Sequence, residues 1–294
     1  MHKQRLLITG ASGFLGWNVC QLLKNEWQIT GTAYTHPLSI NGVDITVIDL
    51  TNTSEIKQLF DSCRPDAVIH CAAAANPAFC QLHSDIAAAI NINASISIAE
   101  LCEKMKTPLI FTSTDLVFDG NKGSYKEDDL PLPISIYGQQ KFETEKRIQE
   151  IYKDITICRM PLMFGQSSPT STSFLQPMLE KLKRKESLTL FTNEKRSVLS
   201  AVRAARGLNL ILRKKLSGIF HLGGDDHLSR YNFGILLCKL LNINTDQIEG
   251  CLQSDIKMAA PRPANVTLNN DKVKAAGFIP GDLQEELMGI LKTV

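Results

Sequence analysis

No CxxC pair occurs among the eight cysteines, and the six histidines show no metal-ligand spacing. That scatter argues against both a disulfide framework and a zinc site. Several cysteines lie inside apolar runs such as Val68-Ile69-His70-Cys71-Ala72, which reads as buried free thiols in a reducing compartment. No apolar run approaches the ~18 residues of a transmembrane helix. The short apolar stretch near the start leads directly into a glycine turn, so no secretory signal is expected and the expected location is cytoplasmic. The net charge is only +2, and no block of like charges is present. The densest basic run, Lys181-Leu182-Lys183-Arg184-Lys185, reads as a solvated helix face. Neither nucleic acid nor a membrane is therefore an expected partner.

What is present is ordinary globular material: 294 residues, 44% hydrophobic and 21% charged, enough for one large or two moderate domains. Strand-type runs at Arg5–Thr9, Gln28–Tyr34, Asp44–Asp49, Ala67–Cys71, Pro108–Ser113 and Ile155–Arg159 alternate with helical stretches. The helices are expected over Phe14–Glu26, Ser54–Cys63 (capped by Thr53 or Ser54), Ile86–Met105 and roughly Ile134–Tyr152. Alternation of this kind predicts an α/β fold with a doubly wound parallel sheet. After Gly165 a Ser/Thr/Pro-rich loop leads to a helix ending near Glu186, a helix over Val198–Arg213, a strand from Gly218 and a Ser229-capped helix over Tyr231–Leu241. A last helix is expected from Asp282. The division read from this pattern places residues 1–165 in a Rossmann-type domain to which 218–235 return. Residues 166–217 and 236–294 then form a smaller, helix-rich lobe.

Gly10, Gly13 and Gly16 are spaced G-x-x-G-x-x-G between a strand and a helix. A turn of that kind can cradle a dinucleotide: the first glycine makes the bend, the second admits the pyrophosphate, and the third lets the helix pack closely. The second strand ends Ala33-Tyr34-Thr35-His36, without the carboxylate that usually accepts from a ribose 2′-hydroxyl and without an adjacent Arg or Lys for a 2′-phosphate. NADP(H) is the expected cofactor on that ground, with Thr35 and His36 as phosphate partners and NAD(H) left open. Asp49 stands at the end of the third strand, where it could accept from an adenine amino group or cap a helix. The small residues of Cys71-Ala72-Ala73-Ala74-Ala75 would let a cofactor lie close.

Tyr137 and Lys141 are four residues apart, on one face of the expected helix, about 120 residues beyond the glycine turn. There the ammonium could favour the phenolate and pull the phenol's pKa down, preparing it to exchange a proton with a carbonyl or alcohol. Thr112-Ser113-Thr114-Asp115 ends a buried strand and could hold the reacting oxygen. Asn91, within the long helix, could bind a water linking Lys141 to solvent.

Taken together, the glycine turn, Ser113-Thr114-Asp115-Leu-Val-Phe-Asp-Gly120, Tyr137-Gly-Gln-Gln-Lys-Phe-Glu-Thr-Glu145 and Arg262-Pro263-Ala264-Asn265 resemble an extended short-chain dehydrogenase/reductase of the dTDP-4-dehydrorhamnose reductase branch. Over essentially the whole chain, the resemblance implies an NAD(P)H-dependent reduction of a keto group on a nucleotide-linked sugar. It implies Thr114, Tyr137 and Lys141 as the catalytic set, with Tyr137 the proton donor. Gly10, Ser12, Gly13, Phe14, Leu15, Gly16, Asp49, Leu50, Cys71, Ala72, Ala73 and Asn91 would line the cofactor together with Tyr137 and Lys141. Arg262, with Thr114, would serve the substrate, and a homodimer is a family expectation. An epimerase or dehydratase of the same superfamily, or a non-catalytic regulatory subunit like the relative that binds methionine adenosyltransferase, are the competing implications. Two departures bear on the sugar pocket. Leu116 stands where that branch usually has tyrosine, and the strand-end segment Arg159-Met160-Pro161-Leu162-Met163 lacks the tryptophan that branch has there. A proline common in that branch is also missing from Arg196-Ser197-Val198-Leu199.

Overall fold

The computed structural model describes residues 3–292. Seven strands form its central sheet: β1 (Arg5–Thr9), β2 (Gln28–Ala33), β3 (Val43–Val47), β4 (Ala67–His70), β5 (Leu109–Thr114), β6 (Thr156–Met160) and, after four short strands, β11 (Gly218–His221). Those four are β7 (Met163–Phe164), β8 (Leu188–Phe191), β9 (Lys195–Ser197) and β10 (Leu199–Ser200), with β12 (His227–Ser229) and β13 (Ile248–Cys251) following β11. The sheet order is β11-β6-β5-β4-β1-β2-β3, and every neighbouring pair is parallel. This is the doubly wound arrangement expected from the alternation. β4, β5 and β6 are buried along their whole length, as strands covered on both faces must be. Winding reverses between β1 and β4, so the crevice beyond their carboxyl ends is where such a sheet binds ligands.

The helices are α1 (Phe14–Leu23), α2 (Thr53–Cys63), α3 (Pro77–Leu82), α4 (Ser84–Ala88), α5 (Ala94–Met105), α6 (Ile136–Ile151), α7 (Leu175–Lys183), α8 (Ala201–Lys214), α9 (Arg230–Leu241), α10 (Asp271–Ala275) and α11 (Leu283–Leu291). Several boundaries differ from expectation. Asn52, not Thr53 or Ser54, caps α2, accepting from the Ser54 amide at 3.1 Å. The helix expected from Val198 begins only at Ala201, because Leu199 and Ser200 pair with β7 first. Ser229 caps α9 as expected, accepting from the Asn232 amide. Ser84–Met105 runs as one 22-residue helical stretch, long and apolar enough by length and composition to span a membrane, contrary to the expectation that none would be. Here it packs on α6, burying Ile98, Ala99 and Cys102 in the core between α2, α5 and the sheet.

The lobe boundary also needs correction. α8, assigned to the smaller lobe, lies against α1, and its Ala204, Ala205, Leu208 and Ile211 belong to the core beneath β1, β2 and β6. β12 and the first half of α9, within the 218–235 segment assigned to the Rossmann domain, go the other way. β12 pairs with β9, and Phe233 packs with Leu175, Leu179, Leu188 and Leu287. An amphipathic helix covers whichever apolar face is adjacent, and that choice is not written in its own period. All eight cysteines are free.

Two buried histidines carry a stability prediction. His70 sits between Thr9 Oγ1 at 2.5 Å and Ser95 Oγ at 2.9 Å, and His221 between the Tyr125 carbonyl at 3.0 Å and Arg159 at 3.3 Å. Burial holds both down to about 3 from 6.5. Between those values the unfolded chain binds more protons than the folded one, so stability falls as pH drops through that window. Urea midpoints that stay level on acidification through it would contradict this.

Candidate active site

The glycine turn is built around contacts that no side chain would allow. Gly10 has φ +69°, and a Cβ there would stand 2.8 Å from the Ala72 backbone. A Cβ on Gly16 would lie 2.2 Å from the Gly10 carbonyl oxygen. The turn is tied to β2 by the Ala11 amide donating to the Thr32 carbonyl at 2.7 Å and the Gly10 amide to Thr32 Oγ1 at 3.1 Å. α1 begins with Gly13 as its cap and no side-chain hydrogen bond, so its first-turn amides and positive dipole end remain for a ligand. The loop after Gly165 folds back over this turn, with Ser168 and Thr170 hydroxyls donating to the Ser12 carbonyl at 3.1 and 2.8 Å.

Two adjoining cavities open at this edge. One of about 630 Å³ is lined by Gly10, Ser12, Gly13, Thr35, His36, Asp49, Leu50, Cys71, Ala72 and Ala73, among others. Its lining includes no Arg or Lys. Asp49 accepts from the Thr51 amide at 2.9 Å and hydroxyl at 2.8 Å, bonds that hold its carboxyl below the usual range. The second, about 520 Å³, shares Gly10, Gly13, Cys71 and Ala73 with the first and adds Phe14, Leu15, Gly16, Thr114, Tyr137, Lys141 and Arg262. A nicotinamide dinucleotide fits this shape: a glycine cradle, an uncapped helix start and a wall of small residues run from one cavity into the other.

Asn91 is the exception. It lines neither cavity, because its amide is fully engaged elsewhere. Oδ1 accepts from the Ala74 amide at 2.9 Å, while Nδ2 donates to the Ala74 carbonyl at 3.2 Å and to Gln140 Oε1 at 2.9 Å. The residue lies in a π-helical segment, Ala89–Asn93, whose widened turn aims it at the loop after β4. It shapes that loop and does not touch the cofactor crevice.

Of the hydroxyls ending β5, two face protein partners. Thr112 Oγ1 donates to the His70 carbonyl at 2.9 Å, and Ser113 Oγ donates to Glu145. Thr114 is the one that neighbours the Tyr137 phenol, lining the same cavity and favouring its phenolate. α6 is started by Ser135, which accepts from the Gly138 amide at 3.2 Å. Gly138 then lets the helix approach the turn after β5, since a Cβ there would lie 2.2 Å from the Leu116 carbonyl oxygen. Tyr137 is thereby set beside Thr114.

The electrostatics depart from expectation. Tyr137 is 8% exposed, and burial, with the neighbouring Cys80 and Asp115, pushes its phenol well above the ordinary range. Lys141 is itself buried, and that burial brings its ammonium down to about 7, with Glu145 and Cys71 opposing. Its Nζ sits 3.9 Å from the centre of the Phe111 ring, a cation–π contact. Desolvation therefore outweighs the charge effect that the i,i+4 spacing suggested.

The far wall carries a charge cluster that sequence reading did not assemble. Glu194, 1% exposed, is ringed by Arg196 at 3.3 Å, Arg262 at 3.3 Å and Arg230 at 3.7 Å. Burial, partly offset by Glu194, brings Arg230 down to about 10. These residues come from β9 and the residue just before it, the start of α9 and the loop at 260–265, segments with no shared motif.

The family model described as RmlD substrate binding domain matches residues 4–294. A probable low-salt glycan biosynthesis reductase, Agl14, from Haloferax volcanii is 28% identical over 287 residues, covering 96% of each chain. The methionine adenosyltransferase 2 subunit beta of Xenopus laevis is 26% identical, covering 94% of this chain and 83% of its own. Among solved structures, dTDP-4-dehydrorhamnose reductase from Bacillus anthracis, in complex with NADP, superposes with a TM-score of 0.89 at 23% identity over 100% of both chains. With its parallel seven-stranded sheet and glycine-lined crevice, the chain belongs to the RmlD substrate-binding-domain family of extended short-chain dehydrogenase/reductases.

Proposed function

We propose that the chain is an NAD(P)H-dependent oxidoreductase that reduces a keto group on a nucleotide-linked sugar, as a dTDP-4-dehydrorhamnose reductase does. The observation that carries this reading is that Thr114, Tyr137 and Lys141 line the same cavity as the glycine turn. A reduced nicotinamide bound there would supply the hydride. Thr114 would hold the carbonyl oxygen, and Tyr137, kept protonated by burial, would donate the proton to it. Lys141, which lines the cavity with Thr114 and Tyr137, would hold the nicotinamide ribose. Arg230 and Arg262 face the same cavity and would take the phosphates of the nucleotide. Free thiols throughout fit a cytoplasmic setting.

The adenosine end would favour NADP(H), with Thr35 and His36 meeting the 2′-phosphate; Thr35 Oγ1 and His36 Nδ1 already stand 2.8 Å apart. Turnover of NADPH and NADH against a panel of dTDP- and UDP-linked keto-sugars tests both levels. The expected result is reduction of at least one, with a lower Kd for NADPH that His36→Ala erases. Cofactor binding without reduction of any sugar would favour the second reading, a non-catalytic subunit. That reading draws support from the relative described as a subunit of methionine adenosyltransferase and from the placement of Lys141 on Phe111.

A further inference from the structure

The glycine turn is overlaid by a segment rich in hydroxyls that the reduction described above does not use. Residues 166–173, Gln-Ser-Ser-Pro-Thr-Ser-Thr-Ser, include no charged side chain. Both ends of this segment are tied down. Asn18 on α1 donates through Nδ2 to the Gln166 carbonyl at 3.1 Å, and Gln176 on α7 donates through Nε2 to the Gly165 carbonyl at 2.7 Å. Gln176 Oε1 also accepts from the Ser173 amide at 2.9 Å and hydroxyl at 2.8 Å. The middle is a compact turn, closed by the Ser168 amide donating to the Ser171 carbonyl at 2.8 Å. Among the described residues, its only hydrogen bonds to the rest of the chain are those from the Ser168 and Thr170 hydroxyls to the Ser12 carbonyl. Neutral hydrogen bonds of this kind are worth little net against water, so the clasp can open while the tied ends hold.

Ser171 is the point at which this turn meets the crevice. Within the segment it alone lines both cavities, with Thr170 on the adenosine side and Thr172 on the other. Gly10, Gly13, Cys71 and Ala73 are also shared by the two cavities, so their junction lies between the glycine turn and Ser171. A dinucleotide seated across both cavities has its bridging diphosphate at that junction. On one side the uncapped start of α1 meets it. No Arg or Lys lines the first cavity, so the remaining donors there are neutral groups. A hydroxyl facing a phosphate oxygen makes a charge-assisted hydrogen bond, stronger than one between neutral partners. We propose that residues 166–173 form a strap that closes the diphosphate site. The Ser171 hydroxyl donates to the diphosphate from the side opposite the glycine turn. The Ser168 and Thr170 bonds to the Ser12 carbonyl hold the strap shut and break when the dinucleotide enters or leaves. This rests on the nicotinamide-cofactor reading above.

Fluorescence titration and stopped-flow release of NADPH or NADH, whichever wild type binds more tightly, compare wild type with Ser171→Ala and with the double variant Ser168→Ala/Thr170→Ala. Ser171→Ala is expected to raise the cofactor Kd by about 10-fold. The adenosine end alone (adenosine 2′-monophosphate for NADPH, adenosine for NADH) lacks the bridging diphosphate, and its affinity is expected to stay within about twofold of wild type. The double variant is expected to release cofactor about 10-fold faster with no loss of association rate. Equal weakening of cofactor and fragment by Ser171→Ala, or a cofactor Kd that does not move, would overturn the inference. So would a release rate in the double variant equal to that of wild type. Cofactor binding that no variant alters removes the strap and leaves the cofactor reading intact; a wild type that binds neither nucleotide removes both.

Discussion

Tyr137→Phe is expected to lower turnover by about 10²–10⁴-fold while leaving the cofactor Kd nearly unchanged. The change removes one oxygen from a side chain that is 8% exposed, so the ring still fills its place against Cys80 and Ala87. What is lost is the proposed proton donor. Burial keeps the phenol protonated through the physiological range, which suits donation to a carbonyl in the reductive direction. The reverse reaction, alcohol oxidation, needs the phenolate and is expected to rise with pH well past neutrality. Steady-state rates in both directions, with cofactor affinity measured separately by fluorescence, check this. A variant retaining more than about a tenth of the wild-type rate would remove Tyr137 from the mechanism.

Glu145→Ala is expected to cost about 3–5 kcal/mol of stability. Glu145 is 1% exposed and accepts from Arg159, itself 2% exposed, at 2.8 Å through one guanidinium nitrogen and at 3.2 and 3.3 Å through Nε. It also accepts from Ser113. The pair therefore joins α6, β5 and β6, the elements that carry Tyr137, Lys141 and Thr114 or adjoin them, and Arg159 lies over the Phe118 ring at 5.1 Å. Removing the carboxylate strands a buried guanidinium. The double replacement Glu145→Leu with Arg159→Met is expected to recover most of the loss, because a buried ion pair is costly to break but seldom better than well-packed apolar residues. Urea unfolding of the three variants decides it; a single variant as stable as wild type would contradict the buried-pair account. Glu145 also favours the charged form of Lys141, so the single variant should bring that ammonium below its present value of about 7.

Much of this was readable before any coordinate. Gly10 and Gly16 declare a turn that only glycine can make, and the period of four between Tyr137 and Lys141 survives because a helix enforces it locally. The alternation of apolar runs with helical stretches predicted the parallel sheet, since strands buried on both faces leave a continuous apolar signature in Val68-Ile69 and Ile110-Phe111. Asn91 was misread for a local reason as well. A polar residue in a helix says nothing of which neighbour its amide will meet, and a π-helical turn redirected it to Ala74.

Glu194, Arg196, Arg230 and Arg262 were illegible as a group, because their meeting depends on how β9, α9 and the loop at 260–265 pack. The same holds for the direction of the Tyr137 and Lys141 shifts. Spacing along the chain determined which groups share a face, whereas the amount of water left around them, and hence the sign of each shift, was decided by tertiary burial. Desolvation is a property of the whole enclosure, and no run of residues encodes it alone.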